Sequence, residues 1–470
     1  MSDADIAYMP VAELVEKFRA KEISPVEATR AALDRIDMHN DKVNAFCYLD
    51  EDGALASAKE SEARWAKGEP IGLIDGVPLG VKDTLHAKGM PTRFGSHTTT
   101  DEPATEDTST TLACRNHGAV LLGKTTNPEF AIGPTTNSPL TGLTTNPWDP
   151  TKHAGGSTGG GAAAVAAGMG NTSLATDAGG STRIPAALCG KVGFKATQYR
   201  VPTYPPPGMP SLSCPGAVTH TVTDTAIMMN VMTEPDPRDW LASKPDGVDY
   251  LAGLEDGIKG LKIAFSPTLN GQAKFIDPEV AASVATAVDA FKELGATVEE
   301  ADPDIESPIP ILSSYLISRI THRVNAMTDA QRDVLGPSIN AVIKRSEGVT
   351  MLDMVEADER RQILSKTLID FMRDYDLLLT PTLTVPAFDA ERLSPVEFEK
   401  FEDPRAWVPF CSPFNLSQQP AITMLCGFTE AGLPIALQIV GPRHEDTRVL
   451  RAARAYEKLN PLWERRPNLD

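Results

Sequence analysis

Thr176-Asp177-Ala178-Gly179-Gly180-Ser181-Thr182-Arg183-Ile184-Pro185 is the stretch whose reading decides the fold. The short run Ser173-Leu174-Ala175 before it predicts a strand, and a helix is expected to begin after the serine. Strand–turn–helix units of this kind build α/β sheets with helices packed on the faces. A serine behind two glycines can hold its hydroxyl exposed while neighbouring backbone N–H groups converge in front of it. An acyl-transfer nucleophile needs that arrangement, because the oxyanion formed on attack must be met by preset donors. A serine N-cap accounts equally well for an isolated Gly-Gly-Ser.

Two further features lie upstream. Gly155-Gly156-Ser157-Thr158-Gly159-Gly160-Gly161 runs into Ala162-Ala163-Ala164-Val165-Ala166-Ala167, a Gly-rich loop opening a helix. Backbone N–H groups and a positive dipole end suit an anion there, although a tight turn with close helix packing reads the same way. No Gly-Lys-Ser/Thr follows, so a phosphate loop is excluded. Gly155-Gly156-Ser157-Thr158-Gly159 also matches the loose GxSxG pattern, but it follows loop sequence and not a strand, and the match is read as accidental. Lys82 ends the run Gly76-Val77-Pro78-Leu79-Gly80-Val81 and precedes Asp83. A lysine at the end of a buried strand loses water, which disfavours the ammonium and lowers its pKa. A buried ion pair with Asp83 or another carboxylate is the competing reading. Pro78 predicts a sheet edge or a strand end at this point.

The rest of the chain alternates helix and strand. Helices are predicted over residues 11–20, 28–36 (behind the capping signature Ser24-Pro25-Val26-Glu27), 54–65, 109–117, 158–167, 278–294 and 447–459. Strands are predicted over residues 119–122, 261–265, 297–298, 377–380 and 435–440. The expected fold is α/β, a central mixed sheet flanked by helices on both faces. No repeat or linker divides the chain, so one domain over residues 1–470 is expected, with residues 230–400 a possible helix-rich subdomain or insertion. Pro202 to Pro210 reads as a stiff surface loop.

Composition narrows the function. The chain has 470 residues, 44 Lys and Arg against 63 Asp and Glu, and a formal net charge of −19. That balance argues against a nucleic-acid partner, which needs concentrated basic residues. No apolar run is long enough to span a membrane. Residues Met1 to Asp5 lack a basic-then-apolar leader, and six cysteines (Cys47, Cys114, Cys189, Cys214, Cys411, Cys426) are scattered without a CxxC pair. A cytoplasmic protein with reduced thiols is expected. The eight histidines include no HExxH and no Cys/His cluster, so no metal site is expected.

Taken together, these residues resemble the amidase signature family. Lys82 in Gly-Val-Lys-Asp, the segment from Gly155 to Gly160 and the segment from Asp177 to Pro185 carry the likeness. Ser24-Pro25-Val26-Glu27, Val43-Asn44-Ala45-Phe46, Gly123 to Phe130, Asn146-Pro147-Trp148 and Gly432 to Gly441 extend it over nearly the whole chain. Lys82 and Ser157 are 75 residues apart and Ser157 and Ser181 are 24 apart, the spacings the family leads one to expect.

The resemblance implies a Ser–cis-Ser–Lys triad. Ser181 would be the nucleophile, neutral Lys82 the base, and Ser157, behind a cis peptide from Gly156, the proton relay. Backbone N–H groups of Ala178, Gly179, Gly180 and Ser181 would form the oxyanion hole, with Thr176, Asp177 and Arg183 supporting that loop and Ala131 facing the substrate. The substrate would be a small-molecule amide, cleaved through an acyl-enzyme without cofactor or metal. A homodimer is a family-level expectation. The alternatives are an amidotransferase component that uses glutamine within a complex, and a catalytically silent binding protein on the same fold. Thr158, Gly161, Ala196, Tyr199 and the Ser417-Gln418-Gln419-Pro420 segment depart from the commonest family pattern, which favours a stand-alone amidase. Trp407, Phe410, Phe414, Tyr199 and Tyr204 are expected to rim the pocket and select an apolar or aromatic amide, with Arg405 or Glu402 as residues that would hold a charged one. Several of these aromatics read equally well as core.

Overall fold

The computed structural model describes residues 3–245, 247–401, 403 and 405–469. Eleven strands form one mixed sheet: β1 (Phe46–Leu49), β2 (Pro78–Lys82), β3 (Val120–Thr125), β4 (Thr172–Asp177), β5 (Val192–Lys195), β6 (Cys214–Thr219), β7 (Lys262–Phe265), β8 (Thr297–Glu300), β9 (Leu377–Pro381), β10 (Ala421–Phe428) and β11 (Pro434–Val440). Their spatial order is β1-β3-β2-β4-β6-β5-β10-β11-β9-β7-β8. The β3-β2-β4 and β9-β7-β8 groups are parallel, and antiparallel pairs join them through β6, β5, β10 and β11. Residues 230–400 contribute β7, β8 and β9 at one end of the sheet.

Alternation along the strands sends side chains to two cores. Leu121 of β3 and Leu174 of β4 join one core, while Val120, Leu122 and Ala175 join another on the opposite face. The first is covered by the Val11–Ala20, Val222–Met232, Pro278–Glu293 and Asp446–Leu459 helices. The Pro25–Val43 and Gly159–Ala166 helices cover the second. Farther along the sheet, Pro308–Asn325 and Met351–Phe371 pack over Leu378 and Val440. The capping signature works as expected: Ser24 accepts from Glu27 N–H, and Glu27 accepts from Ser24 N–H. Among the described residues no helix is long and apolar enough to cross a membrane.

One expectation is resolved between its two alternatives, and one is corrected. Pro78 does begin its strand, but β2 lies inside the sheet between β3 and β4, not at an edge. Its missing N–H is harmless because the ladder begins there. The Pro202 to Pro210 segment is not simply a surface loop. Its residues form one wall of the central cavity. Tyr199, where the family pattern has glycine, retains a left-handed φ of 69°.

Candidate active site

β2 and β4 run parallel and side by side, so their carboxyl ends, with Lys82 and Thr176-Asp177, reach the same edge of the sheet. The loop before the Gly159–Ala166 helix brings Ser157 to that edge. Lys82 is 0% exposed, and its Nζ lies 2.8 Å from Ser157 Oγ, 2.9 Å from Thr158 Oγ1 and 2.9 Å from Thr176 Oγ1. Three hydroxyls can accept from an ammonium. Two can accept from a neutral amine while the third donates to its lone pair, so the cage serves both protonation states. Burial pushes the Lys82 pKa down to about 7, against the pull of Asp177 and helped by the positive charge of Arg319.

The ion pair with Asp83 does not form. Consecutive strand residues face opposite ways, and Asp83 accepts from the N–H groups of Arg93 (3.0 Å) and Gly95 (3.1 Å), with Lys124 Nζ at 4.0 Å.

The peptide between Gly156 and Ser157 is cis, and Thr158 N–H donates to Ser181 O at 3.1 Å, tying the two serine loops together. Gly156 has no room for a side chain, since a Cβ would lie 2.8 Å from the Thr135 carbonyl. Gly180 adopts φ 121°, which non-glycine residues rarely reach, and a Cβ there would meet Cys411 Cβ at 2.6 Å.

Asp177 organises the Ser181 loop. Its Oδ1 accepts from Gly180 N–H (2.7 Å), Arg183 Nη2 (3.0 Å) and Asn415 Nδ2 (2.9 Å), and its Oδ2 from Thr182 N–H (3.2 Å) and Arg183 Nε (3.0 Å). Burial alone would raise this carboxyl's pKa, but Arg183 and Asn415 hold it well below the usual carboxylate range. Arg183 is fixed in turn by Asn415 Oδ1 (2.6 Å), Gln438 Oε1 (2.7 Å) and Cys411 O (3.0 Å). Breaking a buried pair by removing one partner leaves an uncompensated charge. Asp177→Ala is therefore expected to lose about 3–5 kcal/mol of stability, read as a lower denaturation midpoint.

The residues read from the sequence thus come together, with differences of detail. Gly180 N–H is engaged by Asp177, so the loop N–H groups without a protein acceptor among the described residues are those of Ala178, Gly179 and Ser181. Thr176 holds Lys82 and not the loop. Thr158, Asn415 and Gln438 join the network. Gln438 lies in a segment that resembles the family, whereas nothing local marks Asn415.

Ser157, Thr176, Ala178, Gly179, Ser181 and Ala131 line a cavity of about 330 Å³, ample for a small ligand. Its other walls are mainly apolar, with Leu85, Phe94, Met209, Ile309, Leu312 and Leu316 among them. Of the five aromatics expected at the rim only Tyr204 lines the cavity. Trp407, Phe410 and Phe414 are core residues, and Tyr199 lies outside the lining. Arg405 does line it, but its guanidinium is engaged by Asp403 (2.6 Å) and Ser313 Oγ (2.6 Å). Glu402 lies outside the described residues. Among the described residues no three His, Cys, Asp or Glu side chains gather in a metal-holding group.

Comparison with known proteins gives the family. A sequence model described as Amidase matches residues 27–450. The chain is 33% identical over 473 residues to an acylamidase of Rhodococcus erythropolis, covering 99% of this chain and 98% of that protein. It is 35% identical over 486 residues to a glutamyl-tRNA(Gln) amidotransferase subunit of Myxococcus xanthus, covering 96% and 97%. Among solved structures, a bacterial aryl acylamidase of the amidase signature enzymes superposes with a TM-score of 0.89 at 28% identity, covering 97% of each chain. A 6-aminohexanoate cyclic dimer hydrolase complexed with substrate also reaches 0.89, at 27% identity, covering 98% and 99%. The chain belongs to the amidase signature family of amide-hydrolysing enzymes.

Proposed function

We propose that the protein is a stand-alone hydrolase of small carboxamides or anilides, working through an acyl-enzyme on Ser181. The observation that carries this reading is the buried Lys82 amine, held 2.8 Å from Ser157 Oγ in a cavity that Ser181 also lines. Ser181 Oγ attacks the amide carbonyl. Its proton passes to Ser157 Oγ as Ser157 gives its own to the Lys82 amine. The carbonyl oxygen, now negative, takes hydrogen bonds from the free N–H groups of Ala178, Gly179 and Ser181. The relay then reverses: Lys82 returns a proton through Ser157 to the departing amine, and the C–N bond breaks. Water repeats the sequence in place of Ser181, releasing the acid and the free serine.

Six free thiols, four of them buried, favour a reducing compartment, and the reading places the enzyme in the cytoplasm. The likeness to the amidotransferase protein supports a second reading, glutamine hydrolysis within a complex. The two separate by assay of the purified chain alone. Release of 4-nitroaniline from 4-nitroacetanilide, or of ammonia from benzamide, with glutamine untouched, is the expected result. Turnover of glutamine only, and only with added partner chains, would contradict it.

A further inference from the structure

Besides Arg405, the cavity holds two cations that neither donate nor accept a proton in the reaction just described. Arg319 and Arg323 both line it, and they stand one turn apart on the Pro308–Asn325 helix, so they share a face. Neither guanidinium donates a hydrogen bond to, or pairs with, any described residue. This sets them apart from Arg405, Arg183 and Arg361, whose guanidinium groups are engaged by neighbours. Burial lowers the pKa of both, that of Arg323 to about 10 with help from the adjacent Arg319 charge and against Glu129. The Glu129 carboxylate is itself occupied by Ser96 Oγ (2.6 Å) and Gly336 N–H (2.9 Å). Two like charges side by side in a largely apolar cavity are unfavourable unless an anion joins them.

The wall behind them is built to hold this arrangement. Arg323 lies over the rings of Phe94 (4.6 Å) and Phe130 (4.2 Å), a cation–π seat that fixes the guanidinium and leaves its N–H edge free. Phe94, Phe130 and Ala131 have φ of 53°, 53° and 59°, a left-handed cluster that bulky residues rarely adopt. Arg319 runs along Gly208, where a Cβ would come within 2.8 Å of its Nε. The same helix touches the Ser181 loop: a Cβ on Gly179 would lie 2.9 Å from Leu312 Cδ2. Seven residues separate Leu312 from Arg319, about 10 Å of helix, and the arginine side chain leans back toward the loop. The Arg319 charge is felt at Lys82.

We propose that the substrate amide carries a carboxylate, which Arg319 and Arg323 grip while the scissile carbonyl sits over Ser181. This rests on the amidase reading and names its substrate class. The apolar walls between the two ends fit a short alkyl or aryl spacer. Paired guanidiniums match the two oxygens of a carboxylate better than a lysine would. The carboxylate can sit on the acyl part or on the amine part, and the test separates these.

Two matched pairs are assayed with wild type, Arg319→Met, Arg323→Met and Arg319→Lys: glutaryl against pentanoyl 4-nitroanilide, and 4-acetamidobenzoate against acetanilide. In wild type the acid member of at least one pair is expected to be favoured in kcat/KM by about 10- to 100-fold, the range of a charge-assisted hydrogen bond. The ratio should fall toward one in both methionine variants and recover in part in Arg319→Lys. Taking the ratio within each protein cancels any general loss of folding or activity. A wild-type ratio at or below one in both pairs overturns the proposal, as does a preference that survives both methionine variants. If neither pair turns over, the rate of Ser181 modification by a fluorophosphonate is measured with and without glutarate or 4-aminobenzoate. Protection in wild type that is lost in Arg319→Met supports the carboxylate site, and no protection in wild type overturns it. A Ser181 that accepts neither amide nor probe overturns the amidase reading itself, which is a separate failure.

Discussion

Ser181→Ala is expected to lower kcat for any amide this enzyme cleaves by about 10⁴-fold or more, with little change in substrate affinity. Ser181 lines the cavity at the entry to the Arg183–Leu188 helix, beside the free N–H groups of Ala178 and Gly179. Alanine removes one hydroxyl at a partly exposed position and leaves the Asp177–Arg183–Asn415 network intact, because none of its hydrogen bonds uses Ser181 Oγ. The fold should survive. Residual catalysis would then come only from oxyanion donors acting on an attacking water. Steady-state kinetics with circular dichroism on the same sample check this. A variant that keeps more than a few per cent of wild-type kcat would mean that another group is the nucleophile.

The second large effect concerns Lys82. Lys82→Met is expected to reduce kcat/KM by about 10²- to 10⁴-fold, the range for losing a positioned base. The wild-type pH profile follows from the same residue. Only the neutral amine can accept a proton, and burial sets its pKa at about 7. Activity should therefore fall about tenfold per pH unit below roughly 7 and level off above it. Stability depends on the same proton. A lysine is ordinarily near 10.5, so between about 7 and 10.5 the unfolded chain binds the extra proton and stability rises with pH. Methionine removes the desolvation cost of the cation. The thermal midpoint of Lys82→Met at pH 7 should therefore be no lower than that of wild type, although three hydroxyls lose their partner. A residue with a merely structural role would lose stability and leave the acid limb of the pH profile in place.

Much of this site can be read along the chain because the groups proposed to react lie in three local motifs whose letters carry backbone geometry. Gly156 and Gly180 are there because nothing larger fits, and Lys82 ends a strand whose neighbours are all buried. The strands that announce themselves are short, mostly apolar runs such as Leu377–Pro381. Cys214–Thr219 does not, because its Pro215 and Gly216 read as a turn, yet in the structure that strand is fully buried between β4 and β5. Tertiary pairing outweighs local propensity there.

What escapes the sequence is what only topology brings together. Asn415 reaches Asp177 from 238 residues away, and Gln438 reaches Arg183 from 255. The aromatics expected at the pocket rim sit elsewhere, because a tryptophan in a core and one at a rim look alike in composition. Trp407 packs against His153 and Phe388, not against the cavity. Arg405 stands out along the chain as the basic residue nearest those aromatics. The arginines free to bind lie instead on the Pro308–Asn325 helix, whose letters resemble any amphipathic surface.

The most direct test of the account is intact-mass measurement after exposing wild type and Ser181→Ala to a fluorophosphonate. A serine deprotonated through Ser157 and Lys82 should attack the phosphorus, displace fluoride and gain one adduct, mapped to Ser181. The alanine variant should gain none, and labelling of wild type should slow as pH falls below about 7, as the Lys82 pKa requires. An adduct that persists at the same rate in Ser181→Ala, or a wild type that hydrolyses amides with Ser181 unmodified by the probe, would contradict the central claim.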